Sequence, residues 1–273
     1  MLVDFPIIAR NISYSSGFKK IINNISFALK KSEFVGLIGG SGSGKTTLLT
    51  CLNGYREPDN GSVIVNGFSS SDKKKLRHLI GYVPQDDIVH KTLTVERSLY
   101  YAYLLRIDNA EKDKAVKDEV EKVLGYLDLK EHKNKKISSL SGGQRKRVNI
   151  GIELLHSPNL FFLDEPTAGL DPSLERQLMR LLNSLANQNR LVILTTHLMQ
   201  HVDMFDVLIF IHKGEMIYFG PSEEITTHFK VRDMIELFDK VLIGSPTSLK
   251  TKFLKSSVYR NFLLPRINGS ANV

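Results

Sequence analysis

The sequence predicts an α/β protein in which short buried strands alternate with helices. An apolar run from Phe34 to Ile38 ends in glycine, as a buried strand does, and a helical apolar pattern from Thr47 to Leu52 follows it. Two later runs, residues 160–163 and 190–196, have the same buried-strand character. The middle third is instead long, proline-free and helix-prone, which predicts a helical subdomain inserted between strands.

The composition is typical of a soluble globular protein. Of the 273 residues, 42% are apolar and 24% are charged, which allows one large domain or two small ones. No apolar run reaches about eighteen residues and the N-terminus has no basic region, so neither a membrane span nor a signal peptide is predicted. The single cysteine, Cys51, excludes an internal disulfide. Its place in a predicted helix favours a buried thiol over a reactive one, and the cytosolic side is the simplest compartment.

The N-terminal third predicts several strands. Residues 7–27 carry alternating apolar side chains, which predicts strands interrupted by the turn Ser15-Ser16-Gly17. Residues 62–66 alternate as an edge strand does, and residues 68–77, with three consecutive lysines, indicate a solvated surface. Residues 79–85 indicate another buried strand.

Helices dominate the middle of the chain, and a hairpin follows near its end. One face of the predicted helix 109–127 is apolar and the other carries charges that suit i,i+4 pairs in water. A helix at 148–155 follows a Ser-Gly-Gly turn. The remaining predicted elements are a helix at 94–106, a hairpin of 206–212 and 215–219, and helices at 222–229 and 233–243.

A glycine-rich octet separates the strand 34–38 from its helix. It reads Gly39-Gly40-Ser41-Gly42-Ser43-Gly44-Lys45-Thr46 and fits the pattern G-x-x-x-x-G-K-[ST] at every fixed position. Glycines let the backbone N–H groups converge on an anion at a helix N-terminus. Lys45 is expected to reach the β and γ phosphates and Thr46 to ligate Mg²⁺, with Thr47 next to them. A simple glycine-rich turn is the alternative, and the complete pattern makes it remote.

Other polar residues stand at the ends of predicted strands and helices. Asp164 and Glu165 follow the strand 160–163, where ligands bind in α/β sheets, although acids at strand ends are also common on surfaces. His197 follows the strand 190–196, and a lone histidine is usually structural. The turn Ser141-Gly142-Gly143 could bind an anion or simply cap its helix. Tyr14 could stack on a base, but its position alone favours a strand aromatic.

These motifs occur in one order and together resemble the nucleotide-binding domain of ABC transporters. The resemblance covers roughly residues 8–240 and rests on the octet, Gln85, LSGGQ at 140–144, FFLDEP at 161–166, GLD at 169–171 and His197. GYVPQDD at 81–87 and SGGQRKRVNIGIELL at 141–155 are similar to the white/G subfamily and related bacterial exporters. The resemblance implies a P-loop ATPase with a RecA-like core, an antiparallel β subdomain and a helical subdomain.

The resemblance also assigns roles to matching positions. It implies that Thr46 and Gln85 ligate Mg²⁺, that Asp164 holds the metal through a water, and that Gln85 also belongs to the catalytic set. Glu165 would orient or deprotonate the attacking water, and His197 would contact the γ phosphate. Tyr14 matches the position of the adenine-stacking aromatic. The residues expected to bind nucleotide from a second protomer are Ser141, Gly142, Gly143 and Gln144, with Asp171 bridging the two sites; Gly40 replaces a more usual proline.

The resemblance further implies an organisation and partners. The expected ATP-binding core is 1–86 with 156–240, the expected helical signature subdomain is 87–155, and a basic amphipathic tail, 241–273, would lead to a membrane domain. An ATPase subunit is expected that works as a homodimer or heterodimer on the cytoplasmic side of a membrane, beneath a transmembrane partner. The alternative is a soluble ABC ATPase acting on DNA or ribosomes. One nucleotide domain and no cysteine cluster argue against it, so no nucleic acid partner is expected.

The tail carries five of the eight excess positive charges and no acid between Val241 and Val273. Such a segment can face nucleic acid, an anionic membrane surface or only water. Apolar residues recur at spacings of three, four and five, which predicts a helix with one broad apolar face that ends at Pro265. We expect this helix to lie on the cytoplasmic membrane surface, and a disordered end is the alternative.

Overall fold

The computed structural model describes residues 4–106, 113–197 and 200–270. Within these ranges the strands form two sheets, and the predicted α/β class is confirmed. The strands are β1 (Ile7–Ser16), β2 (Lys19–Leu29), β3 (Phe34–Ile38), β4 (Asn60–Val65), β5 (Phe68–Ser69), β6 (Ile80–Val83), β7 (Leu160–Leu163), β8 (Leu191–Thr196), β9 (Val207–His212) and β10 (Glu215–Pro221).

The larger sheet has the order β10-β9-β3-β8-β7-β6. Its strands are parallel except β10, which pairs antiparallel with β9 through the predicted hairpin. All residues of β3, β7 and β8 are buried, because helices cover both faces of a parallel sheet. The strand that precedes the glycine-rich octet therefore lies inside the sheet, with β8 and β9 on either side.

Two strand predictions were wrong in their placement. The strand predicted at the edge is β4, but it lies between β1 and β5 in the antiparallel sheet β2-β1-β4-β5, because Ile64 and Val65 pair with the short β5. The strand predicted as buried is β6, but it forms one edge of the larger sheet and its residues alternate between half-buried and buried. Pairing order depends on distant segments, which the local apolar pattern does not report.

The helices follow the predicted distribution with differences at their ends. Three of them lie between β6 and β7 in the chain, and the predicted start of the second, residues 109–112, lies outside the described residues. The third begins at Gly142 rather than at residue 148, and the helix after Asp171 was not predicted. The helices are α1 (Lys45–Leu52), α2 (Lys73–Leu76), α3 (Val95–Arg106), α4 (Asp113–Tyr126), α5 (Gly142–Leu154), α6 (Pro172–Ala186), α7 (Ile225–Phe229), α8 (Met234–Ile243), α9 (Pro246–Leu254) and α10 (Leu264–Gly269).

Helices α3, α4 and α5 pack into one bundle. Of the apolar side chains predicted to share one face of α4, Val116, Val120 and Leu124 are buried, whereas Ala115 is exposed. Helix α5 lies close to the C-terminal end of α4 at Gly151, where an added Cβ would lie 2.6 Å from Leu127 Cδ1. A larger residue at position 151 would therefore force α4 and α5 apart.

The described part of the C-terminal tail, residues 241–270, folds onto the two sheets, so the prediction of one amphipathic helix ending at Pro265 was wrong. Helix α9 packs on β10, and a π-helical stretch, Tyr259–Leu263, leads directly into α10. Pro265 lies in the first turn of α10, where its missing N–H costs no helical hydrogen bond. Leu249, Phe253 and Leu263 are buried in the main core, so these apolar side chains are not available to a membrane surface.

Among the described residues, two of the five tail cations form ion pairs with the rest of the chain. Arg266 and Glu33 are both buried, with an Nη2–Oε1 distance of 2.7 Å, and the guanidinium lies 4.1 Å from the ring centroid of Phe262. Lys250 Nζ lies 2.6 Å from Glu215 Oε2 on β10. The ion pairs and the buried apolar contacts hold the tail on the domain. No helix within the described ranges has both the length and the apolar character needed to cross a bilayer.

Candidate functional site

The glycine-rich octet curves from the end of β3 into α1. Gly39, Gly42 and Gly44 have positive φ angles, the region that favours glycine. Gly39 is also enclosed, since an added Cβ would lie 2.2 Å from the carbonyl oxygen of Ile211 on β9. The Ser43 N–H donates to the Gly40 carbonyl over 3.2 Å, while Ser41 and Gly42 are exposed at the tip of the loop.

The first residue of α1 turns back into this loop. Lys45 is 5% exposed, and its Nζ donates to the carbonyl oxygens of Gly39 (2.9 Å) and Gly40 (3.0 Å). Burial lowers the pKa of Lys45, against the opposing effect of the carboxylates of Glu165 and Asp164. The Ser43 Oγ is buried and has no hydrogen-bond partner in the described part of the chain.

These features fit a phosphate ligand. A buried ammonium group whose described hydrogen bonds go to carbonyl oxygens can exchange them for the more negative oxygens of a phosphate. The Ser43 hydroxyl, which has no described hydrogen-bond partner, could then donate to a phosphate oxygen. That hydrogen bond would offset the free-energy cost of burying an unpaired hydroxyl. Thr46 is exposed and Thr47 half-buried at the start of α1, where helix N–H groups attract anions.

Asp164 joins the ends of three parallel strands to α1. Its Oδ1 accepts hydrogen bonds from Thr46 Oγ1 (3.0 Å) and from Thr195 Oγ1 (2.5 Å), and its own N–H donates to the Val83 carbonyl. Thr195 belongs to β8, and Asp164 is 3% exposed. A threonine hydroxyl beside a carboxylate is a hard-oxygen pair of the kind that Mg²⁺ prefers.

Glu165 is held in an unusual backbone conformation. Its φ is +44°, a left-handed region that costs an L-residue about 1–2 kcal/mol, and its N–H donates to Thr195 Oγ1 over 2.8 Å. Its Oε2 lies 3.4 Å from both Gln85 Nε2 and His197 Nδ1. The fold therefore gathers Gln85, Glu165 and His197, which are up to 112 positions apart in the chain, at one point.

The Ser141–Gln144 segment does not join this cluster within the chain. Ser141 Oγ accepts from the Gln144 N–H and Gln144 Oε1 accepts from the Ser141 N–H, which forms a capping box at the start of α5. No hydrogen bond or ion pair links 141–144 to 39–47, two segments that the structure describes in full. Asp171 likewise caps α6, with Oδ1 accepting from the N–H groups of Ser173 and Leu174.

Tyr14 lies in β1, opposite Ile22, and is partly buried against the core. Its hydroxyl accepts from Arg56 Nη1 over 3.0 Å, and the Arg56 guanidinium carbon lies 5.6 Å from the ring centroid. Adenine stacking on Tyr14 stays a prediction. Cys51 on α1 is fully buried, as predicted, and burial raises the pKa of its thiol to about 12, which disfavours the thiolate.

Sequence reasoning missed two groups at this site. Thr195 contacts both acids, and its signal was a pair of threonines that ends an otherwise apolar buried strand. The second group surrounds Asp87, two residues after Gln85. Its carboxylate accepts from Asn149 Nδ2 (2.8 Å) and Arg145 Nε (3.4 Å) of α5.

In the described residues no group of three or more His, Cys, Asp or Glu side chains suits a metal, so Mg²⁺ would depend on Thr46, Gln85, Asp164 and phosphate oxygens.

Comparison with known families decides the class of this site. A family model described as ABC transporter matches residues 22–168, more than half of the chain, and a second model, of an AAA domain, matches residues 136–203. The chain belongs to the ABC transporter family. It is the ATP-binding domain of that family, an ATPase, as the octet, the strand-end acids and LSGGQ indicate together.

Several ABC proteins are similar over most of the chain. The ATP-binding/permease protein Rv1747 of Mycobacterium tuberculosis is 37% identical over 87% of this chain, which spans 28% of that protein. The linearmycin resistance ATP-binding protein LnrL of Bacillus subtilis is 34% identical over 84% of the chain, which covers 73% of LnrL. The ABC transporter G family member 25 of Oryza sativa is 36% identical over 82% of the chain, which spans 23% of it.

Solved ABC structures share the fold. CbiO1 of Clostridium perfringens, part of the ABC transporter complex cbiONQ, superposes with a TM-score of 0.76 and 26% identity, over 91% of this chain and 99% of that one. The cassette MJ0796, in a dimeric post-hydrolysis state bound to ADP and Pi, gives 0.72 with 24% identity over 79% and 98%. The ABC-type ATPase fold expected from the sequence is therefore confirmed.

Proposed function

We propose that this domain hydrolyses MgATP at the site around Asp164 and Glu165, and that a dimer of such domains drives export through a transmembrane partner. The single observation that carries the catalytic part is the placement of Glu165. Its carboxylate contacts Gln85 and His197, while its backbone is fixed through Thr195 to Asp164, the acid bound to Thr46. A base next to the phosphate loop is what an in-line attack by water requires.

Each residue in this arrangement has a distinct task. Glu165 orients the attacking water and accepts its proton at Oε2, and His197 holds that carboxylate in place and contacts the γ phosphate. Lys45 donates to the β and γ phosphates, which offsets their charge as the bond to the leaving group breaks. Thr46 and Gln85, with Asp164 through a water, would hold Mg²⁺, which supplies further neutralisation of phosphate charge. Tyr14 would stack on adenine.

A second protomer is needed to complete the site. The N–H groups at the start of α5 can bind an anion, yet Ser141 and Gly142 make no described hydrogen bond or ion pair with the octet of their own chain. A head-to-tail dimer would bring these amides to the γ phosphate on the partner, with Asp171 between the sites. Replacing Ser141 with Arg should block hydrolysis and spare monomeric ATP binding. Turnover per protomer that does not depend on protein concentration would contradict the shared site.

The transport assignment rests on the relatives. The mycobacterial relative is named an ATP-binding/permease protein, and LnrL is named an ATP-binding protein of linearmycin resistance. We infer that the membrane domain is either continuous with this chain or a separate subunit. The ATPase domain would then lie on the cytoplasmic side, with residues 87–155 as the helical signature subdomain and 1–86 with 156–240 as the ATP-binding core.

The decisive experiment replaces Glu165 with Gln. This change removes the base but keeps the shape of the side chain, so turnover should fall at least ~10²-fold while ATP affinity stays within about twofold. The variant should also accumulate as an ATP-bound dimer in sedimentation velocity. Wild-type turnover by the purified variant would remove Glu165 from this role. A variant that binds no ATP would show a damaged site instead, which a matched circular dichroism spectrum and melting curve would reveal.

A further inference from the structure

His132 contacts the Ser141–Gln144 segment from outside helix α5. It ends a short 3₁₀ helix, Lys130–His132, and its Nε2 lies 2.9 Å from Nε2 of Gln144. Gln144 forms the capping box with Ser141 and is one of the residues expected to bind nucleotide from a second protomer. Both His132 and Gln144 are half-buried, so the contact is partly shielded from water, which strengthens a hydrogen bond.

The capping box decides which group donates in this contact. Gln144 Oε1 already accepts from the Ser141 N–H over 3.0 Å, so the amide nitrogen of Gln144 faces His132 and donates. Nε2 of His132 is therefore the acceptor, and the ring proton lies on Nδ1, which is buried and has no hydrogen-bond partner in the described part of the chain. Turning the Gln144 amide over would set its NH₂ group against the Ser141 N–H, so the two contacts together fix one orientation.

The backbone that carries His132 is held by the other two helices of the bundle. The N–H of Glu96, at the start of α3, donates to the carbonyl oxygen of Lys133 over 3.0 Å. Lys133 Nζ also lies 2.5 Å from Glu121 Oε1 on α4. His132 therefore ties the Gln144 side chain to α3 and α4, whereas the capping box alone ties it only to its own helix.

The first turn of α5 has two N–H groups without a described partner. Those of Ser141 and Gln144 are used by the capping box. No described hydrogen bond uses the N–H groups of Gly142 and Gly143, which begin the helix, where its dipole attracts an anion. Opening the capping box would free the chain at Ser141 and let this first turn fray, so the two glycine amides would lose their fixed direction.

We propose that His132 is a positioning residue for the ATP bound to the partner. It holds the Gln144 amide, keeps the capping box closed, and so keeps the N–H groups of Gly142 and Gly143 directed at the partner's γ phosphate. His132 acts through Gln144 and makes no described hydrogen bond with the octet of its own chain, so it contributes to the dimer and not to monomeric ATP binding. This inference rests on the proposed function.

Two substitutions of His132 separate its hydrogen bond from its packing. His132→Leu keeps an apolar side chain but removes the acceptor. His132→Gln supplies an acceptor again, because its Oε1 is as many bonds from Cα as the histidine Nε2 is. His132→Met is a second variant without a strong acceptor, for use if His132→Leu folds poorly.

The first measurement is ATP-driven dimerisation in a Glu165→Gln background, followed by sedimentation velocity. His132→Leu should raise the dimer dissociation constant at least about tenfold, because a symmetric dimer loses the contact at both of its sites. His132→Gln should stay within about threefold of the background protein. Monomeric ATP affinity, measured in a Ser141→Arg background, should change less than about twofold in either variant.

The second measurement needs neither ATP nor a partner. In the ATP-free monomer, hydrogen exchange at the Ser141 amide, followed by NMR, should be about tenfold faster in His132→Leu than in wild type, and His132→Gln should restore the slower rate. An unchanged dissociation constant or exchange rate in His132→Leu, or an equal loss in His132→Gln, would overturn the positioning role. Failure of the Glu165→Gln protein with His132 intact to dimerise on ATP would instead refute the proposed function, so the two failures are distinguishable.

Discussion

Replacing Thr195 with Val tests the contact network that positions both acids. The hydroxyl of Thr195 donates to Asp164 Oδ1 over 2.5 Å and accepts from the Glu165 N–H over 2.8 Å. Valine has nearly the same shape, so the change removes these two hydrogen bonds without leaving a cavity. Thr195 is fully buried and Asp164 is 3% exposed, so water cannot replace the missing partner without rearrangement.

The expected magnitudes follow from these contacts. A hydrogen bond to a charged group contributes about 1.5–3 kcal/mol, and an orphaned buried N–H costs about 1–3 kcal/mol. We expect the free energy of unfolding to fall by about 3 kcal/mol. Turnover should fall about 10- to 100-fold, because Glu165 loses the bond that fixes its left-handed backbone and its carboxylate drifts from the attacking water. ATP affinity should change little, since Thr195 makes no described hydrogen bond with Lys45 or the rest of the octet.

The assay combines urea unfolding, steady-state ATP turnover and nucleotide titration on one preparation. Thr195→Ser is the matched control, because it keeps the hydroxyl and should retain turnover within about threefold of wild type. Turnover of Thr195→Val equal to that of Thr195→Ser would refute the argument that this hydroxyl positions Glu165. A loss of ATP affinity as large as the loss of turnover would place Thr195 in binding rather than in catalysis.

Three further predictions concern other parts of the domain. Tyr14→Ala should weaken ATP by about 1 kcal/mol in a titration with a fluorescent analogue, whereas Tyr14→Phe should not; equal affinities would leave Tyr14 a strand aromatic. Arg266→Met leaves the Glu33 carboxylate buried without its cation, so the free energy of unfolding measured in urea should fall by about 3–5 kcal/mol. A fall of less than about 1 kcal/mol would mean that this ion pair does not hold the tail. Burial lowers the pKa of His156 and of His228, so the unfolded chain binds more protons than the folded one below about pH 6.5. The free energy of unfolding should therefore fall as the pH is lowered from about 7.5 to about 5.5. Substituting both histidines with Gln should reduce that fall.

The sequence predicted the local parts of the site because the residues that form each part are adjacent in the chain. The octet 39–46 contains its own glycines, lysine and hydroxyl, and the strand before it and the helix after it are visible in the apolar pattern. The strand-end acids and His197 were found in the same way, as polar residues that follow buried strands. The order of these motifs then indicated the family, which the comparisons confirmed.

Contacts between residues that are distant in the chain could not be predicted from the spacing of apolar residues or from composition. Thr195 meets Asp164 from 31 positions away, and Asn149 meets Asp87 from 62 positions away, because neighbouring strands and helices are brought together by packing. The same reason explains the strand placement errors, since whether β4 or β6 forms an edge depends on which segment pairs with it.

The tail shows most clearly what the local sequence pattern predicts and what only tertiary packing decides. The sequence alone determined that residues 241–273 are basic and apolar at helical spacings, and it predicted a helix from that pattern. It did not determine what covers the apolar face. Only the tertiary structure decided that question, through β10 and the Glu33 carboxylate, because a helical pattern specifies a face to be buried but not the surface that buries it.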